Sequence, residues 1–62
     1  MESKLKYKNY IGSIEYSSAD GVWYGEILDI NDLVSYEAEF KDKLILAFIT
    51  ALKDYDNHMG NN

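Results

Sequence analysis

The spacing of the apolar side chains changes once along this chain, near residue 41, and that change limits the fold more than any other feature. Before it, apolar and polar residues alternate, as in "IGSIEY" and "VSYEAE", and a period of two is typical of strands. After it, apolar residues recur every three or four positions, which is typical of an amphipathic helix. The sequence therefore predicts a sheet followed by one helix.

Two turn-forming segments divide the alternating region. "SSADG" and "DINDL" contain the Asp, Asn, Ser and Gly residues that favour tight turns. We expect strands over about residues 6–16, 22–28 and 34–39, a helix over about 41–58, a polar leader over residues 1–6 and a short tail after Gly60. The expected fold is α+β: a three-stranded antiparallel sheet in the order β-β-β-α, with the C-terminal helix packed on one face.

The predicted core combines one face of the sheet with one stripe of the helix. Because Glu26 should not be buried without a partner, the alternate residues Trp23, Gly25 and Ile27 are predicted to face inward. The other inward positions are expected to be Ile30, Leu33, Val34, Tyr36 and Ala38, and the helix stripe to be Leu44, Phe48, Ala51, Leu52 and Tyr55. If Tyr16 pairs with Trp23, Ile14 lies opposite Gly25 and Gly12 lies opposite Ile27.

The size of the chain favours self-association. Its 62 residues form one domain, 1–62, and it contains no cysteine that could add a disulfide. A domain of this size buries only roughly 60% of the surface of its unfolded chain, so its stability is marginal. Ile11, Val22 and Tyr24 are expected on the sheet face away from the helix, where they are more apolar than a monomer requires. We therefore predict a homodimer or a higher even oligomer.

Charge and composition exclude several classes of function. The net charge is −5 and arginine is absent, so direct binding to a nucleic acid backbone is disfavoured. No apolar span of about 20 residues and no secretory signal is present, which favours a cytoplasmic protein without membrane contact. No sequence pattern indicates a cofactor.

The residues that could support catalysis are poorly placed for it. A two-metal site needs carboxylates that converge, yet Glu15 and Glu26 are predicted on the sheet face away from the helix that carries Asp54. His58 has no partner nucleophile and is expected to be solvated. The aromatic residues Tyr10, Tyr16, Trp23 and Tyr36 could in principle stack on bases, but inward positions without a nearby arginine favour core packing. We therefore expect no enzymatic activity.

A longer pattern resembles a known family. The segments "YIGSIEYSSADGVWYGEILDINDLVSYEAEF" and "LILAFITALKDY" resemble the N-terminal domain of HicB-type antitoxins, from Tyr10 to Tyr55, about three quarters of the chain. The matching positions are Gly12, Ser13, Ile14, Glu15, Asp20, Gly21, Gly25, Ile30, Asp32, Leu33, Val34, Glu37, Ala47, Phe48, Ala51, Asp54 and Tyr55. The family's Ser or Thr helix cap is replaced here by "EAEF", residues 37–40, and its C-terminal DNA-binding segment is not expected in this chain.

The resemblance implies a partial RNase H-like fold and an antitoxin function. It implies that the domain neutralises a HicA-type toxin, a small basic ribonuclease, by covering the active site of that toxin. An acidic surface suits a basic partner, because complementary charge accelerates association. The alternative is an orphan homo-oligomeric adaptor or structural domain that has no toxin partner.

The candidate partner-binding residues are acidic. Four of them flank the third predicted strand, and two more lie near the end of the helix, where the macrodipole disfavours them by about 0.3–1 kcal/mol each. These residues are Asp29, Asp32, Glu37, Glu39, Asp54 and Asp56. Toxin contact would explain the placement of the helical pair, and the alternative for this pair is that an exposed carboxylate at a helix end costs little in salt. Plain solubility is the alternative for the other four.

Overall fold

The computed structural model describes the backbone of residues 4–60 and the side chains of residues 4–57. It consists of five strands and one helix: β1 (Lys4–Tyr7), β2 (Tyr10–Ser13), β3 (Glu15–Ser17), β4 (Val22–Leu28), β5 (Ser35–Ala38) and α1 (Lys41–Gly60). All strand pairs are antiparallel. The α+β class and the single C-terminal helix are confirmed, whereas the prediction of three strands is wrong.

The single strand predicted over residues 6–16 is three strands. β1 and β2 form a hairpin in which Tyr7 pairs with Tyr10, so only Lys8 and Asn9 remain for the turn. Lys8 has a φ of 56°, a conformation that favours Gly, Asn or Asp. Part of the predicted leader, residues 4–6, therefore belongs to the sheet, and residues 1–3 lie outside the described part of the chain.

β2 and β3 follow one another along the same side of β4. The pairs Gly12–Ile27 and Tyr16–Trp23 share one register, which confirms both of these predicted pairs. β1 continues the sheet beyond β2, and β5 pairs with the other side of β4. From edge to edge, the sheet therefore runs β1, then β2 with β3, then β4, then β5.

A buried tyrosine accounts for the break between β2 and β3. The Tyr36 hydroxyl donates a hydrogen bond to the Ser13 carbonyl at 2.9 Å, so this carbonyl turns out of the ladder. The Glu26 amide donates instead to the Ser13 hydroxyl, at 3.0 Å. Gly25 makes the arrangement possible, because a Cβ at that position would collide with the Ser13 carbonyl. Ile14 therefore lies where the ladder is interrupted, and its predicted pairing with Gly25 does not form.

The core lies between the sheet and α1. Its buried side chains are Ile27, Tyr36, Leu44, Phe48 and Leu52, so the predicted helix stripe is confirmed at Leu44, Phe48 and Leu52, whereas Ala51 and Tyr55 are half-buried. Trp23, Ile30, Val34 and Ala38 are half-buried against this core. Leu33 is 83% exposed, so its predicted core role is wrong.

Alkaline pH should destabilise the fold through Tyr36. Burial, followed by the nearby negative charge of Glu26, raises the pKa of Tyr36 to about 12, whereas an unfolded tyrosine ionises near 10. Because the folded state retains the proton, this contribution is complete below pH 10 and is lost as the pH rises from about 10 to 12. Urea unfolding followed from pH 8 to pH 11.5 should show this loss.

The matched variant is Tyr36→Phe. It removes the donor to the Ser13 carbonyl and should cost about 1–3 kcal/mol at neutral pH. Its stability should then fall less steeply between pH 10 and 12 than that of the parent. An equally steep alkaline loss in Tyr36→Phe would assign the titration to other tyrosines.

Candidate functional site

The loop between β4 and β5 presents its carboxylates to solvent from a fixed base. Ile30 packs against the core, and the Ile27 amide donates to the Val34 carbonyl at 2.9 Å, which closes the loop. Asp29, directly after β4, has a φ of 60°, a conformation that Asp tolerates better than most residues. Asp29 and Asp32 are both exposed, so they are available to a partner.

Folding brings Asp32 to the C-terminal part of α1. Desolvation is the largest cause that raises the pKa of the Tyr55 hydroxyl. The negative charges of Asp32 and Asp56 and a hydrogen bond with Asp32 raise this pKa further. The Tyr55 ring also packs edge-on against Tyr10, with centroids 6.3 Å apart. We call Asp32, Tyr55 and Asp56 the acidic cluster. It joins a loop residue to two helix residues that are distant from it in sequence.

The other candidate carboxylates lie apart from this cluster. Asp54 is two positions from Asp56, about 200° around the helix, so the two side chains point in different directions. Glu37 lies in β5, paired with Tyr24. Glu39 is exposed between β5 and α1. The six predicted residues therefore do not form one surface, and the predicted helical pair of Asp54 and Asp56 is divided.

The face of the sheet opposite α1 is a second candidate surface, which we call the outer face. Because Gly25 and Ile27 are buried under the helix, the alternate side chains of β4 and their cross-strand partners point away from it. The outer face comprises Lys4, Lys6, Ile11, Ser13, Glu15, Ser17, Val22, Tyr24, Glu26, Leu28, Ser35 and Glu37. It includes Ile11, Val22 and Tyr24, the three residues predicted to mediate oligomerisation.

Tyr24 stands at the centre of the acidic half of the outer face. It is 41% exposed and pairs with Glu15 on one side and Glu37 on the other. Two open grooves flank it. The groove of about 420 Å³ is lined by residues that include Val22 and Glu37, and the groove of about 290 Å³ includes Glu26 and the exposed Leu33.

Three residues of this surface, Glu15, Glu26 and Leu33, are not among the partner contacts predicted from the sequence. For Glu15 and Glu26 a usable signal existed, because both occupy outward positions beside Tyr24 in the predicted register. For Leu33 there was none. An apolar residue that ends a turn segment reads as a core residue unless the path of the loop is known.

The structure supplies no converging set of catalytic groups among the residues it describes. Glu15 and Glu26 lie on the outer face, whereas α1, which carries Asp54, packs on the other face. No group of three or more His, Cys, Asp or Glu side chains within the described side chains could hold a metal ion. The side chain of His58 lies outside those described.

Three of the four aromatic residues predicted to pack in the core, Tyr10, Trp23 and Tyr36, do so at least in part, whereas Tyr16 is 52% exposed and its predicted core role is wrong. Tyr36 packs against Phe48, with ring centroids 5.3 Å apart, and Tyr16 packs against Trp23 at 4.8 Å. The Lys41 ammonium lies 5.4 Å from the centroid of the Trp23 ring, which is within the range of a cation–π interaction. The Lys41–Trp23 contact joins the first turn of α1 to the sheet, and the Tyr36–Phe48 contact joins a later turn to it.

Two further observations bear on what the chain resembles. Within residues 4–60, no helix has the length and apolar character needed to cross a bilayer. A comparison with protein-family models, with curated proteins and with solved structures finds no match to this chain.

Proposed function

We propose that this chain is an antitoxin-like domain that binds a small basic ribonuclease of the HicA type in the cytoplasm and masks its active site. The proposal includes the partial RNase H-like fold that the sequence resemblance implies. The domain performs no chemistry in this proposal. It acts by occupying the surface that would otherwise bind RNA.

The observation that carries the proposal is the acidic cluster. Asp32, from the β4–β5 loop, and Asp56, from the helix, both lie close enough to the Tyr55 hydroxyl to raise its pKa, and Asp56 lies where the helix macrodipole disfavours a carboxylate. A protein surface built to hold RNA phosphates presents lysines and arginines. Carboxylates that accept charge-assisted hydrogen bonds from those side chains would compete with the phosphates.

The overall charge supports the same partner. With 11 acidic and 6 basic residues, the chain attracts a basic protein over a distance set by the ionic strength. The remaining candidate contacts, Asp29, Glu37, Glu39 and Asp54, are exposed. We propose that they act mainly as rim charges that change the association rate.

The test is binding to a small basic ribonuclease of the HicA type, taken from the reading frame beside this chain if one is encoded there, and measured by calorimetry at several salt concentrations. The double variant Asp32→Lys/Asp56→Lys should bind at least about tenfold more weakly, because removing one partner of a desolvated charge pair costs about 2–5 kcal/mol. The control Glu15→Lys/Glu26→Lys makes the same change of charge on the outer face and should retain more of the affinity. Equal loss in both variants would show that net charge, not the acidic cluster, directs binding.

A second candidate is favoured by the outer face. Its exposed Tyr24 and the neighbouring Leu33, which is 83% exposed, are more apolar than an isolated small domain requires. The alternative function is therefore a homo-oligomeric adaptor or structural domain. It is the function that remains if the neighbouring basic protein does not bind.

A further inference from the structure

The outer face is divided by charge. On β1, at one edge of the sheet, Lys4 and Lys6 occupy the outward positions beside Ser13 and Ile11. Toward the other edge, the charged outward side chains are carboxylates: Glu15 of β3, Glu26 of β4 and Glu37 of β5. The basic edge and the acidic edge therefore lie on opposite sides of a sheet that is only four strands wide.

The middle of the same face is apolar. Ile11 of β2 pairs directly with Leu28 of β4, and both are half-buried although they point away from α1. Val22 and Tyr24 continue this strip along β4. A surface with an apolar centre, one basic edge and one acidic edge can be complementary to itself if a symmetry axis exchanges the edges.

We propose that a second copy of the chain packs face to face on the outer face, about a two-fold axis parallel to the strands and midway between β2 and β4. This axis lays β1 of each copy over β5 of the other, and β2 over β4. Ile11 then meets Leu28 of the partner subunit. Lys4 then lies over Ser35 of the partner subunit, where it can pair with the neighbouring Glu37 of the partner subunit, and Lys6 adds positive charge at the same edge.

The charges select this axis over the other simple choice. A two-fold axis perpendicular to the strands would lay each strand on its own copy, so that the basic edge would face a basic edge and the acidic edge would face an acidic one. Like charges placed directly opposite each other are unfavourable. The parallel axis instead sets Glu15 against Tyr24 of the partner subunit and Glu26 against Ser13 of the partner subunit. It therefore places no like charges in direct opposition.

The small size of the domain favours binding of a second copy. A 62-residue chain has a small core, here five buried apolar side chains among those described, and burying a further apolar strip adds to its stability. This inference concerns a surface separate from the acidic cluster. Of the proposed ribonuclease contacts it shares only Glu37, so the acidic cluster can be tested separately from the dimer.

The test uses charge reversal followed by mixing. Lys4→Glu/Lys6→Glu and Glu37→Lys should each raise the dimer dissociation constant about tenfold or more at low salt, because each places like charges across the interface twice. An equimolar mixture of the two variants should regain an affinity near that of the parent, because every reversed charge then meets its opposite. Analytical ultracentrifugation over a concentration series measures the dimer dissociation constants of the parent chain, of both variants and of their mixture.

Two further variants test whether the effect depends on the outer face. Lys43→Glu/Lys53→Glu makes the same change of charge on α1, on the other side of the sheet, and should leave the dimer constant within about twofold of the parent. Tyr24→Lys should weaken the dimer, with an unchanged far-ultraviolet circular dichroism spectrum.

Three results would overturn the inference. The first is a parent chain that stays monomeric at several hundred micromolar. The second is a pair of reversed variants whose mixture does not recover. The third is open-ended growth beyond the dimer, because edge-to-edge pairing of β1 with β5 would use the same charges but would not close.

Discussion

Replacing Phe48 with alanine should largely unfold this domain. The Phe48 side chain is 0% exposed, packs against Tyr36 and lies over the backbone of Gly12, where a Cβ would collide with its ring. Truncating a buried phenylalanine typically costs about 3–5 kcal/mol, since it loses both the transfer free energy and the contacts around the cavity. A domain of this length has a total stability of only about 3–9 kcal/mol, at ~0.05–0.15 kcal/mol per residue.

Urea unfolding followed by circular dichroism measures this effect. Leu46→Ala is the matched control, because it truncates an aliphatic side chain of the same helix that is mostly exposed. We expect the control to lose less than about 1 kcal/mol. A cooperative transition of Phe48→Ala near the midpoint of the parent would show that the helix packs through a different stripe.

The second large effect is expected from Gly25→Ala. The new methyl group would meet the Ser13 carbonyl and the Tyr36 hydroxyl, and the carbonyl belongs to a neighbouring strand that cannot move without breaking further pairs. Overpacking usually costs about 1–3 kcal/mol and sometimes more. Here the substitution also displaces the hydrogen bond between Tyr36 and Ser13, so we expect at least the upper end of that range.

The sign of the change in unfolding free energy shows whether Gly25 is crowded or has room for a methyl group. Where a glycine has room and an ordinary conformation, Gly→Ala stabilises a protein by about 0.4–1 kcal/mol, because the unfolded chain loses conformational freedom. Glu26→Ala, at the next and exposed position of β4, serves as a control for the strand. A Gly25→Ala variant at least as stable as the parent would contradict the close approach of the Ser13 carbonyl.

The parts of the fold that follow from local periodicity could be predicted. The start of α1 at Lys41, the buried positions Leu44, Phe48 and Leu52, and the extent of β4 all follow from repeated spacing of apolar residues. The pairing of Tyr16 with Trp23 was one possible register, since "SSADG" predicts a turn but does not fix its length; the structure has this register, with the Gly21 amide bonded to the Ser17 carbonyl at 2.7 Å.

Features that depend on distant contacts could not be predicted. The break at Ser13 and Ile14 exists because the Tyr36 hydroxyl, 23 positions away, takes the Ser13 carbonyl out of the ladder. No local residue in "GSIEY" marks this point. The β1–β2 turn at Lys8 and Asn9 contains no glycine or proline. Residues 6–16 were therefore predicted as one strand, although they include part of a hairpin.

The candidate site was predictable in composition but not in arrangement. Carboxylates near "DINDL" and at the end of α1 can be read directly from the sequence. That Asp32 would join Asp56 around Tyr55, and that Glu37 would lie on the outer face, depends on the path of the β4–β5 loop. A short irregular loop gives no period from which that path could be inferred.

The most direct test of the proposed function is a ribonuclease assay of a small basic protein of the HicA type. RNA cleavage is measured while the folded, assembled chain is added up to a molar excess, with Asp32→Lys/Asp56→Lys as the matched variant. Our account predicts that the parent chain abolishes cleavage near equimolar ratio, and that the variant inhibits at least about tenfold more weakly. Undiminished cleavage at a molar excess of the parent chain would contradict the antitoxin proposal and leave the adaptor function.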